Sequence, residues 1–147
     1  MERVRWFLGG FLTLVLALGG GWALAQSAQM AAAGNPDAEL KTAITHAGFA
    51  GKYDALKEVS LHLHHVINCV VGPQDKMFDA AAGNPCQSQG NGFLPDLKVK
   101  KGEDAQYYQV QWVARIAGQA IASNNLQEAK AAARIASLVL EDAAKAQ

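Results

Sequence analysis

The chain has no excess of either charge. Lys and Arg number 13, Asp and Glu 13, with four His, and like charges are not gathered into runs. The electrostatic footprint of nucleic-acid binding is therefore missing, and nucleic acid is excluded as a partner. Nucleophile elbows of the Gly-x-Ser-x-Gly type, His-Glu-x-x-His and phosphate loops are absent too, so an enzyme is not expected. Without Cys-x-x-Cys-His there is no covalent c-type haem attachment. Without Glu-x-x-His the usual di-iron centre of helical bundles is also missing. Alternation of the kind that marks strands does not occur. Past Met30, methionine is reduced to Met77.

The N-terminus reads as a targeting segment. Arg3 and Arg5 precede an uncharged apolar run, Trp6 to Leu18, and Gly19-Gly20-Gly21 leads to Ala23-Leu24-Ala25. Small residues at this spacing are the pattern of signal-peptide cleavage. Residues 1–25 are expected to be removed, 26–35 to form a flexible leader, and 36–147 to form one domain. An uncleaved anchor is the alternative, because Trp6 to Ala25 just reaches the length of a bilayer span. No further apolar run is long enough to cross a membrane. The expected location is periplasmic or secreted. In that setting Cys69 and Cys86, the two cysteines of the chain, are expected to form a disulfide. Closing a loop of this length stabilises by about 3 kcal/mol in the chain-entropy model.

The remaining sequence has helical periodicity. Asn35-Pro36-Asp37 is a helix start, with Asp37 and Glu39 near the positive dipole end. This first helix places Leu40, Ala43, Ile44 and Ala47 on one face and is expected to stop near Gly48 to Gly51; one longer helix through the glycines is the alternative. A second helix, from about Asp54 to Val71, buries Leu56, Val59, Leu63, Val66, Ile67 and Val70, and Gly72-Pro73 stops it. Gly72 to Gly102 has little periodicity and reads as one long loop, ordered by its disulfide and by Phe78, Phe93 and Leu94. Helices from about Glu103 to Ser123 and from about Leu126 to Ala144 complete the chain, with Asn125 and Glu128 as a capping box. Tyr107, Tyr108 and Trp112 are expected in core and boundary packing. The expected fold is all-α: a small, mainly antiparallel four-helix bundle with a disulfide-tied loop between its second and third helices.

Chemistry is concentrated in Glu58-Val-Ser-Leu-His-Leu-His-His-Val-Ile-Asn-Cys69, which holds three of the four histidines. At about 100° per residue, Glu58, His62, His65 and Cys69 share a stripe about 60° wide. Imidazole and carboxylate at this spacing suit Cu, Zn, Fe or Ni. The stripe's centre lies about 110° from that of the apolar face. The residues are thus on a flank, where a hydrogen-bonded histidine face is the competing explanation. A further ligand would come from His46, from Asp75 or Asp79 in the loop, or from a second chain. Haem b, held by His46 with His62, His64 or His65, is a less favoured alternative. His64 lies on the opposite flank, so the three neighbouring histidines do not serve one ion. The architecture resembles small exported four-helix bundles that hold metal or haem; this rests on helix count and transfers no residue roles. The expectation is a metal- or haem-binding module for metal buffering, delivery or electron transfer, with Glu58, His46, His62 and His65 as metal ligands. The alternative class is a non-catalytic envelope protein that presents its pinned loop to a protein partner.

Overall fold

The computed structural model describes residues 34–146. The expected signal peptide, and the expected leader except Gly34 and Asn35, lie outside the described residues. The described chain is all-helical: α1 (Pro36–Lys52), α2 (Leu56–Val71), a 3-10 turn (Ala80–Ala82), α3 (Phe93–Lys101), α4 (Ala105–Ala122) and α5 (Leu126–Lys145). Helix α1 packs on α2 and α5, α4 packs on α5 and α2, and α3 touches α1, α2 and α4.

Five α-helices stand where four were expected. The extra one, α3, falls in the segment that reads as loop. Pro95 sits in its first turn, where no intrahelical N–H is needed. Phe93, Leu94 and Leu97 are buried, and this tertiary burial outweighs the weak periodicity. Helix α1 also runs past Gly48 and Gly51, both of which face open space. Each glycine costs about 1 kcal/mol in a helix interior, and buried Ala47 and Ala50 hold the helix in place. The break comes at Tyr53–Ala55, so α1 and α2 are separate helices.

Caps account for the other boundaries. Asn35 accepts the Ala38 N–H at 3.1 Å, Asp104 accepts that of Tyr107 at 2.9 Å, and Asn125 accepts those of Gln127 and Glu128. Each such cap is worth about 1 kcal/mol. Gly72 (φ 74°) ends α2 and Gly92 (φ 110°) starts α3. Their backbones touch, so a Cβ on either would overlap the other segment.

Alanine dominates the buried face of α5 and contributes to that of α4: Ala117, Ala129, Ala133, Ala136 and Ala143 are fully buried. The pair runs antiparallel, because Gln106 near the start of α4 donates to the Ala143 carbonyl near the end of α5 (2.7 Å). Tyr107 packs against the core, whereas Trp112 and Tyr108 are about half exposed, at its boundary. The small residues of α4 face its neighbours, which leaves these large rings on the outer side.

Glu39, expected to act only as an acid near the dipole, is wholly buried. Its Oε1 accepts the Gly92 N–H at 2.7 Å and so ties α1 to the start of α3. Asp96, also buried, accepts the backbone N–H (2.8 Å) and side-chain amide (2.9 Å) of Asn91. Burial, reinforced by the charge of Asp96, raises the Glu39 pKa from 4.5 to about 7.

Two predictions follow from this packing. Ala133→Leu overfills a fully buried position of α5 and should lower stability by about 1–3 kcal/mol in chemical denaturation. Between pH 4.5 and about 7 the folded chain keeps a Glu39 proton that the unfolded chain has released. The stability this group contributes is full below 4.5 and lost as the pH rises through 7. Denaturation of Glu39→Gln beside the parent should therefore show the variant gaining relative stability across that window; a constant difference would refute the buried, protonated acid.

Candidate metal centre

The flank of α2 that carries the histidine stripe faces α1. Folding α2 back at Tyr53–Ala55 places His46 of α1 against His62 and His65. Their Nδ1 atoms are close: His46 to His62 at 2.9 Å and His46 to His65 at 3.2 Å. One ligand atom from each of the three residues lies within 4.8 Å of the others, and all three side chains are half-buried.

The protonation pattern of this cluster is constrained from outside. His65 Nε2 lies 2.7 Å from the Ala82 carbonyl oxygen. A carbonyl only accepts, so that nitrogen carries the proton, and in the neutral ring Nδ1 is left as a lone pair. His46 Nδ1 therefore faces one lone pair at 3.2 Å and a second imidazole nitrogen at 2.9 Å. A single proton on His46 satisfies one of these contacts well, never both. A cation placed among the three nitrogens would take all three lone pairs. Tetrahedral Zn–N bonds of about 2.0–2.1 Å separate ligand atoms by about 3.3 Å, a small expansion from the 2.9 Å between His46 and His62 and the 3.2 Å between His46 and His65.

Burial and like neighbours favour the neutral form of His46 and His62. Burial, then the neighbouring His65 and His62, lowers the His46 pKa from 6.5 to about 4. Burial and His65 lower that of His62 as well. Near neutral pH the lone pairs of His46 and His62 are thus free to ligate. Aromatic rings fix the planes: Tyr53 stacks on His62 at 5.2 Å, and Phe49 meets His46 edge-on at 5.7 Å and His62 at 5.3 Å.

The acceptor for His65 is held by a buried clamp. The Asn68 side chain donates to the carbonyls of Asp79 and Gly83, both at 2.7 Å, and accepts the Asp79 N–H at 2.9 Å. These bonds bracket the 3-10 turn that presents Ala82. The adjacent Cys69 is disulfide-bonded to Cys86, so residues 68 and 69 together hold both ends of the covering segment. Cys69 is consequently not a thiolate ligand.

Glu58, His64, Asp75 and Asp79 are not part of the three-histidine group. Glu58 has one buried carboxylate oxygen without a hydrogen bond. His64 Nδ1 lies 3.4 Å from Asp79 Oδ2, near enough for an ion pair when protonated but making no hydrogen bond. Asp75 accepts the Met77 N–H and Asp79 that of Ala81, so each carboxylate caps its own turn. Asn68, Phe49 and Tyr53 escape a reading by ligand type. The one signal for Asn68 is that it interrupts the apolar run from Val66 to Val71.

Comparison of the chain with protein families, curated proteins and solved structures found no match.

Three nitrogens around an ion would leave a fourth position for water, a carboxylate or an incoming ligand, as in exchangeable and catalytic zinc sites. Removing the clamp tests the covering segment. Asn68→Ala strands two carbonyls and one N–H, and should cost about 1–3 kcal/mol per buried group left unpaired. Hydrogen exchange at Asp79 should accelerate; unchanged protection there would show that the disulfide alone orders the turn.

Proposed function

We propose that this chain is an exported helical protein that binds one transition-metal ion through His46, His62 and His65, for metal buffering, delivery or electron transfer. The observation that carries this reading is the convergence of three imidazole Nδ1 atoms, one of them fixed as a lone pair by Ala82. Cu(II) and Zn(II) are the best fits, since both favour imidazole and Cu(II) binds most tightly of the divalent series. The buried, unpaired oxygen of Glu58, one helical turn before His62, supports a carboxylate that turns in as a fourth ligand. Haem is disfavoured, because a porphyrin plane does not fit between imidazole nitrogens 2.9 Å apart.

Export rests on the cleavage pattern ending at Ala25 and on the disulfide. Helices α1, α2, α4 and α5 are taken as the bundle, with α3 and the pinned segment closing one side.

Calorimetric titration of the chelator-treated protein with Cu(II) and Zn(II) tests the reading. One ion should bind per chain. His62→Ala/His65→Ala should lose more than the roughly 10–100-fold typical of an outer-shell change, with helicity retained by circular dichroism. Affinity should hold until the pH is well below 6.5 and be lost as it nears 4, where a proton on His46 competes with the ion for the same nitrogen. Equal binding by the double variant would assign the histidines a purely structural role and favour the envelope interaction protein.

A further inference from the structure

A second concavity lies away from the histidines, where the turn after α2, the first half of α3 and the middle of α4 meet. It has a volume of about 620 Å³, within the range of sites for small organic molecules. Its floor is apolar: Val71, Met77, Leu94 and Ala114 line it, and all but the half-buried Met77 belong to the buried core. Its rim is cationic: Lys76, Lys98 and Arg115 line the same cleft against one carboxylate, Asp75.

The state of these four charges decides what the cleft favours. Asp75 Oδ1 accepts the Met77 N–H at 2.7 Å, so the carboxylate is engaged in its own turn. Lys98 is paired with Glu103 at 2.6 Å. Lys76 and Arg115 have no carboxylate within ion-pair distance among the described residues. Arg115 makes one side-chain hydrogen bond, to Gln111 one turn earlier, and retains further guanidinium donors. Two cations without ion-pair partners thus overlook an apolar floor. That combination is complementary to a molecule with an apolar body and one anionic head.

We propose that this cleft is a binding site for a small amphipathic organic anion, a carboxylate or sulfonate. The head meets Lys76 and Arg115, and the body rests on Met77, Leu94 and Ala114. The site is separate from the histidine cluster and stands whether or not that cluster holds metal.

The full chain can be titrated with anilinonaphthalenesulfonate, whose fluorescence rises in apolar surroundings, and the dye then displaced with octanoate or octanol. The expected result is saturable binding of one dye per chain, with octanoate displacing it at least about tenfold more effectively than octanol. Lys76→Ala/Arg115→Ala should weaken dye binding by about tenfold, with the helical circular dichroism of the parent. Lys76→Arg/Arg115→Lys, which keeps both charges, should bind within about threefold of the parent. His62→Ala/His65→Ala should bind the dye as the parent does. Loss of binding in the charge-retaining variant, equal displacement by octanol, or full binding by the alanine double variant would each overturn the proposal. So would the absence of saturable dye binding.

Discussion

The histidine cluster depends on one buried amide. Asn68 bonds to three backbone groups that flank the 3-10 turn, and the turn presents the carbonyl that orients His65. Buried polar groups are costly unless paired, and here the pairing is complete on both sides of the clamp. The resulting order passes outward: a fixed segment fixes a carbonyl, the carbonyl fixes a tautomer, and the tautomer directs a lone pair at His46. The neighbouring disulfide holds the same segment by a covalent route. The metal reading is therefore a statement about preorganised nitrogens as well as about a count of histidines.

A second constraint acts at the opposite end of α1. Glu39 ties that helix to the first residues of α3 from a wholly buried position. Its elevated pKa follows from burial beside Asp96, whereas His46 is displaced downward by burial among like rings. Both shifts favour the neutral form, since a low-dielectric interior penalises charge whichever sign it has. The fold thus carries two groups on one helix whose linkages to pH run in opposite directions. Stability contributed by neutral His46 is full above 6.5 and lost as the pH falls toward 4; that of protonated Glu39 is lost as the pH rises.

Periodicity identified the helices whose apolar faces are long and regular. Val59, Leu63, Val66 and Val70 repeat over about three turns of α2, and all are fully buried. Helix α3 escaped because nine residues containing Pro95 have too few turns to show a stripe. The glycines of α1 looked like breakers because their local cost is visible in sequence, while burial of Ala47 and Ala50 is not. In the candidate centre, the spacing of His62 and His65 placed them on one face, and His46 was named as a partner without a means of locating it. Glu58 shares their stripe yet lies outside the group, since a helix wheel gives an angle and no side-chain reach. Asn68 was invisible because its partners are backbone groups of a distant segment, which residue identity does not reveal.

The most direct test of the account is a long-range ¹H–¹⁵N nuclear magnetic resonance spectrum of the imidazoles, recorded before and after one equivalent of Zn(II). The account predicts that His65 is already the Nε2-protonated tautomer without metal. It predicts that the Nδ1 resonances of His46, His62 and His65 then move together to metal-bound positions, while His64 stays where it was. A spectrum in which the three Nδ1 signals do not respond, or in which His64 responds in their place, would contradict it.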